Sequence, residues 1–257
     1  MMQKKRARLL AVVTAVAPGV LLIATQFDQQ VHYVNPGTRN HHFFWRRGWY
    51  YDGTDWVYVR GGRKVTGSQK INGVQYHFRA DGRQILPYRV SRQYELTSSQ
   101  GSNQRATPKY IILHDVGSRA TGQQAASFMQ RTANSNQAYT NFIVGNGGTV
   151  YLMKEPRTVS WGAGTMVNQN APVQIELGQT SNAATFRWDY QAYVALARDM
   201  AGKYNIPLTL DQGGAGAKGI KSHRWVSQHI WGDHQDPYEY LARFGVTKQE
   251  LVDDLAG

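Results

Sequence analysis

The sequence predicts an α/β fold, a mixed β-sheet flanked by helices and preceded by a small section of β-hairpin repeats. Three observations carry this. After residue 109, short and nearly continuous apolar runs alternate with longer stretches whose apolar residues recur at three-four spacing, as when buried strands exchange with helices. Asn146-Gly147-Gly148 separates two of those runs and marks a hairpin. Upstream, glycine-bounded aromatics alternate in a repeat of about twenty residues.

The chain opens with a basic head (Lys4, Lys5, Arg6, Arg8) and an uncharged, mostly apolar run from Leu9 to Thr25. That is the layout of an export signal. At about 17 residues the run is long for a signal core and sits at the short limit for a membrane span. Residues 1–30 are therefore expected to be a cleaved signal or an uncleaved membrane anchor, and the protein to be secreted or associated with the cell wall or membrane. The 257 residues leave room for one large domain or two smaller ones. A hydrophobic content of 41% with 18% charged residues excludes a chain disordered by composition. The absence of cysteine excludes a disulfide framework, a thiolate metal ligand and a thiol nucleophile. The net charge of +12 is uneven: residues 1–96 carry 15 Lys/Arg against 5 Asp/Glu, the remainder 14 against 12. Such a front section suits an anionic polymer or membrane surface. Export argues against nucleic acid, so no nucleic acid partner is expected.

Residues 31–87 hold the repeat. GTDWVYVRGG (53–62) matches GVQYHFRADG (73–82) position by position, with Trp56 against Tyr76 and Tyr58 against Phe78. Each unit is too small to bury a core alone, so neighbours must stack or dock. With Gly48-Trp49 and Thr66-Gly67, the units resemble the aromatic wall-binding repeats of Gram-positive surface proteins. In that family the aromatics cage choline or glucan. Packing of the rings against one another is the other reading. Residues 88–108 turn polar and are expected to be a linker or extended lead-in.

From 109 to 257 the elements follow in order: KYIILH (109–114) as a buried strand, GQQAASFMQRTAN (122–134) as a helix, NFIVG and TVYLM around the hairpin turn, and VQIEL (173–177) as another buried strand. The three-four spacing predicts a helix over 188–206, and Thr247 is expected to cap a last helix over 248–257. His114 ends the first of these strands. Three of the eight histidines fall in SHRWVSQHIWGDHQDP (222–237), with two aspartates beside the last. Two imidazoles and a carboxylate are the donors that suit catalytic zinc in a chain without cysteine.

This section resembles the zinc-dependent N-acetylmuramoyl-L-alanine amidases of the phage-lysozyme type, the superfamily shared with peptidoglycan recognition proteins. YIILH, NFIVGNGGTVYLM, SWGAG, VQIEL and the closing H…H-x-D-P carry the resemblance, in the family's order. It implies His114, His223 and Asp236 as ligands of a Zn2+ ion, with His229 competing for the place of His223. It implies Glu176 as the carboxylate that handles the proton, and His234 as support for the oxyanion where many relatives carry lysine. Trp161, Gly162 and Gly164 would form the cleft wall along the stem peptide, while Trp225 and Trp231 are expected to pack the loop. Thr140, not Tyr139, takes the place of a tyrosine that some relatives have.

The implied function is hydrolysis of the amide between N-acetylmuramic acid and the L-alanine of the stem peptide, with peptidoglycan and anionic cell-wall polymers as partners. A non-catalytic peptidoglycan-binding module and a surface adhesin are the alternatives.

Overall fold

A computed structural model describes residues 31–33, 47–51 and 55–257. The signal or anchor expected at 1–30 lies outside them, as does Gly53 of the first repeat. Along the chain come β1 (Val31–Tyr33), β2 (Gly48–Tyr51), β3 (Trp56–Arg60), β4 (Arg63–Lys64), β5 (Gly67–Ile71), β6 (Val74–Phe78), β7 (Arg89–Ser91), β8 (Tyr110–Asp115), α1 (Gly122–Asn136), β9 (Phe142–Gly145), β10 (Thr149–Leu152), α2 (Thr165–Asn168), β11 (Val173–Leu177), α3 (Ala183–Lys203), β12 (Gly219–Ser222), α4 (His223–His229), α5 (Tyr238–Ala242) and α6 (Lys248–Ala256).

The fold is the expected mixed α/β one. Six strands form the main sheet in the order β12-β8-β11-β9-β10-β7. β12, β8, β11 and β9 are parallel, while β10 and its parallel neighbour β7 run the other way. Every residue of β8 is buried because both faces of the sheet are covered. Alternate side chains go to opposite faces. Ile111, Leu113, Val173, Ile175 and Leu177 join the core that includes α3. On the other face Tyr110 and Ile112 pack with Ala163, Val167 and Trp225, while Ile143 and Tyr151 pack with the alanines of α1. Between these two apolar clusters, on the same face, fall His114, Gln174 and Glu176. A polar strip thus runs up the middle of an otherwise apolar sheet.

Helix ends follow local chemistry. Helix α1 starts with a capping box, Thr121 and Gln124 each bonding the other's backbone N–H. Helix α3 begins earlier than its apolar spacing predicts, because Asn182 accepts from Thr185 N at 2.9 Å. Thr247 caps α6 as expected, accepting from Glu250 N at 3.1 Å. The histidine-rich stretch is partly helical: Ser222 accepts from Trp225 N at 3.0 Å, and α4 starts at His223.

The polar stretch 88–108 is laid along the sheet. It contributes β7, and Leu96 N and Ala106 N donate to Met153 O (2.7 Å) and Arg157 O (2.8 Å). Lys154 Nζ donates to Thr97 O and Gln100 O. Because these ties are made by backbone groups and one lysine, the stretch carries no apolar period.

The matched aromatics of the two repeats turn inward to one cluster. Trp49 lies 5.2 Å from Tyr58, 4.7 Å from Tyr76, 5.8 Å from Phe78 and 6.2 Å from Trp56, ring centre to ring centre, and all five rings are buried. Helix α3 closes the cluster. Lys203 Nζ sits 4.4 Å from the centre of the Trp56 ring and 5.3 Å from that of Trp49, and bonds Asp199 Oδ2 at 2.7 Å. Asp199 also accepts from Gln84 Nε2 and Tyr88 Oη, and its carbonyl from Tyr76 Oη. The rings pack against one another around a cation supplied by the chain itself. Burial draws the Lys203 ammonium down to about 8 against the pull of Asp199.

Removing one partner of a buried ion pair leaves the other uncompensated. Lys203→Met is therefore expected to cost about 3–5 kcal/mol in urea unfolding. Lys70→Met, on an exposed strand position, is expected to stay within about 0.5 kcal/mol. Equal stabilities of the two variants would contradict a structural role for the pair.

Candidate functional site

Three elements bring the site together. β8 ends in His114-Asp115, β12 ends at Ser222 so that His223 opens α4, and the loop after α4 returns Asp236 to both. Register does the alignment: Glu176 is the Cα partner of His114, and Ser222 of Leu113. Asp236 is tied twice at the end of the loop, Arg224 N donating to Asp236 O (3.0 Å) and Asp115 N to Asp236 Oδ2 (3.3 Å).

The donor atoms converge. His114 Nδ1 and His223 Nδ1 are 3.0 Å apart, Asp236 Oδ2 is 3.5 Å from the first and Asp236 Oδ1 3.2 Å from the second. Among the described residues, these three form a group able to hold a metal ion, with donors all within 4.8 Å of one another. His229 is not in the group: its Nδ1 bonds Trp225 O at 2.9 Å and its ring stacks on the Trp225 indole. His234 stacks on His223 with ring centres 3.8 Å apart and stands half exposed, Nδ1 3.6 Å from Asp236 Oδ1. Glu176 is buried, and its Oε2 has no hydrogen-bond partner among the described residues.

A hydrogen-bond chain settles which nitrogen of His114 is free. The N–H groups of Gly162 and Ala163 can only donate, and both reach Asn168 Oδ1, at 3.2 and 2.9 Å. Gln174 must then turn its NH2 toward that oxygen (2.9 Å), which leaves its Oε1 facing His114 Nε2 at 3.0 Å. His114 therefore carries its proton on Nε2 and presents Nδ1 as the lone pair. Gln174 and Asn168 escaped the motif reading. The available signal was a glutamine two residues before Glu176 in an otherwise apolar strand. Gly162 is required there, because a Cβ would lie 2.6 Å from Gln174 Oε1.

Electrostatics hold two of the three donors, His223 and Asp236, in their ligating forms. Burial opposes charge on His114, but the bond to Asp236 and the nearby Glu176 outweigh it and raise its pKa. Burial and the facing His114 lower His223 to about 4. Burial would raise Asp236, yet its bonds to the two histidines hold it well below the carboxylate range. Burial pushes Glu176 up to about 8, against the pull of His114, with Asp236 and Asp115 adding to the rise. Near neutral pH, His223 is thus a neutral imidazole and Asp236 a carboxylate, the forms that ligate. Two imidazoles, one carboxylate and an orphaned carboxyl oxygen facing them fit a divalent cation with one open position.

The remaining sequence candidates sort clearly. Trp161 is half-buried against Tyr139, with rings 5.1 Å apart and edge to face. Tyr139 itself is used up, donating to Val159 O and accepting from Ser102 N. Trp225 is buried and donates to Gly213 O, which packs it against the glycine-rich loop. Trp231 departs from that expectation, being 64% exposed beside Gly164.

Loss of a residue that orients a metal-ligating histidine typically weakens metal binding about 10–100-fold. Gln174→Ala is expected to do so for divalent cation binding by the metal-free protein, measured by competition with a chromophoric chelator. Gln174→Glu keeps the acceptor toward His114 but loses the donor to Asn168 Oδ1, and is expected to retain only part of the affinity.

A family model described as N-acetylmuramoyl-L-alanine amidase matches residues 104–239, more than half of the chain. The endolysin of Listeria phage A511 is 43% identical over 150 residues, 57% of this chain and 43% of the relative. The lytic amidase of Streptococcus pneumoniae phage HB-3 is 29% identical over 152 residues, again 57% of this chain and 46% of the relative. The chain thus spans less than half the length of these curated relatives. Among solved structures, the Staphylococcus aureus hydrolase AmiA, in complex with its ligand, superposes with a TM-score of 0.58 at 22% identity, covering 67% of this chain and 83% of that one. PlyL superposes at 0.51 with 16% identity, covering 66% and 97%. These likenesses agree on the fold, and the family match spans His114, Glu176, His223 and Asp236. The chain belongs to the N-acetylmuramoyl-L-alanine amidase family.

Proposed function

We propose that the protein is a zinc-dependent peptidoglycan hydrolase that cleaves the amide between the lactyl group of N-acetylmuramic acid and the L-alanine of the stem peptide. The observation that carries this reading is the convergence of His114, His223 and Asp236 beside the orphaned carboxyl of Glu176. His114, His223 and Asp236 would hold Zn2+, which when bound would supply Lewis acidity toward the scissile carbonyl and an acidified water as nucleophile.

The chain's own residues do the rest. In the metal-free protein burial keeps Glu176 protonated near neutrality. In its ionised form this carboxyl accepts the water proton as the C–O bond forms. The same carboxyl then delivers that proton to the alanine nitrogen as the C–N bond breaks, leaving a lactyl carboxylate and a free amino terminus. His234, fixed against His223 and half open to the cleft, donates to the oxyanion. Trp161, Gly162 and Gly164 line the cleft along the stem.

The front section, residues 31–87, is read as the part that holds the enzyme on the wall. Its excess of basic residues favours anionic wall polymers. The basic head and apolar run at the N-terminus support export, with retention at the wall or membrane. No helix among the described residues is long and apolar enough to cross a membrane.

Digestion of purified peptidoglycan is expected to release free L-alanine amino termini, read by mass spectrometry. Their release should stop with a chelator and return with Zn2+. Glu176→Gln is expected to bind the metal and lose about 10²–10⁴-fold in kcat. Binding to the wall by zinc-loaded protein with no new termini would instead indicate a recognition module.

A further inference from the structure

Ahead of β12, Asp211 opens the stretch DQGGAGAKG (211–219). Its backbone is left-handed, with φ at +55°. Glycine takes that conformation at least cost, and this loop already uses it at 213, 214, 216 and 219. Position 211 instead carries a carboxylate, and its side chain is 5% exposed. A buried charge on a left-handed backbone points to work for that charge.

Four donors close on its two oxygens. Ser222 N reaches Oδ1 at 2.7 Å, while Oδ2 accepts from Ser222 Oγ (2.9 Å), Tyr238 Oη (2.5 Å) and Lys248 Nζ (2.9 Å). A carboxylate only accepts, so both hydroxyl protons point at Asp211. That leaves a lone pair of Ser222 Oγ for Trp225 N, the bond that caps α4 and starts it at His223. The backbone of Asp211 is fixed as well, its N–H donating to Ile220 O of β12 at 3.0 Å.

The partners bracket one segment. Ser222 immediately precedes His223, and Tyr238 lies two residues after Asp236. Two of the three donors of the metal-binding group therefore ride on a segment whose two ends meet on one side chain. The third donor, His114, belongs to β8, and β8 pairs with the same β12 that anchors Asp211. Strand and clamp thus share one reference. None of the four bonds touches a donor atom of the group, so Asp211 acts through Ser222 and Tyr238.

We propose that Asp211 is a positioning residue, whose carboxylate sets His223 and Asp236 opposite His114 by clamping both ends of the segment that carries them. Its effect on metal affinity rests on the zinc reading above, whereas its effect on the place of the His223 ring does not.

The test compares the full native chain with Asp211→Asn, which keeps the side-chain shape but has one oxygen in place of two and no charge for Lys248. In the metal-free proteins, nitrogen-correlated NMR of the imidazoles is expected to show the His223 and His114 resonances displaced in the variant. Those of His77, exposed on β6, are expected to stay in place. Affinity for Zn2+, read by competition with a chromophoric chelator, is expected to fall about 10–100-fold. Tyr238→Phe removes a single donor and carries the test if Asp211→Asn does not fold. It is expected to displace the same resonances less and to weaken Zn2+ binding about 2–10-fold. A lower urea midpoint with unmoved His223 resonances and native Zn2+ affinity would reduce Asp211 to a stabilising contact and overturn the proposal, leaving the zinc reading intact. Displaced His223 resonances in a protein whose native form binds no Zn2+ would uphold the clamp and sink the zinc reading.

Discussion

The grouping of His114, His223 and Asp236 depends on the register of three parallel strands. β8 lies between β12 and β11, with Glu176 paired to His114 and Ser222 to Leu113, so that His223 emerges level with His114. Side chains alternate along a strand, and a slip of one residue would turn His114 and Glu176 into the apolar core under α3. That core is what prevents the slip. Ile111, Leu113, Ile175 and Leu177 fill it only in this register, and the free energy of burying them holds the polar strip on the opposite face. The cluster sits at the carboxyl ends of the parallel strands, where loops leave the sheet and a cleft can open.

Around this frame, polar groups divide the work by what they can donate. Two backbone N–H groups of the SWGAG loop orient Asn168, Asn168 orients Gln174, and Gln174 holds the Nε2 proton of His114. Asp236 is held by a backbone N–H as well as by the histidines. A carboxylate held this way stays ionised despite burial, whereas Glu176, with one oxygen left unpaired, does not. Two carboxyl groups in one site thus take different protonation states because only one of them is hydrogen-bonded to its surroundings.

The other face of α3 joins the front section to the catalytic one. The aromatic rings of the repeats close around Lys203, and Asp199 collects donors from Gln84 and Tyr88 beyond the repeat. Among the described residues, Trp49, Trp56, Tyr58, Tyr76 and Phe78 are enclosed in this way. The same contacts place the hairpins and the sheet in one apolar core.

Sequence alone determined the alternation of strands and helices, the Asn146–Gly148 turn, the Thr247 cap and the identity of His114, Glu176 and Asp236 as site candidates, because periodicity, turn chemistry and short motifs are local. It left His223 and His229 in competition, since spacing along a chain does not say which face of a helix looks into a cleft. Tertiary structure decided that: His223 at the first position of α4 faces His114, and six residues on, His229 turns back onto Trp225. It also decided that residues 88–108 lie along the sheet, that the repeat aromatics enclose a lysine some 150 positions away in the chain, and that Trp231 stands in solvent while Trp225 is buried. Each of these is a contact between segments distant in sequence, and its energy comes from the area and the hydrogen bonds that only the packed chain brings together.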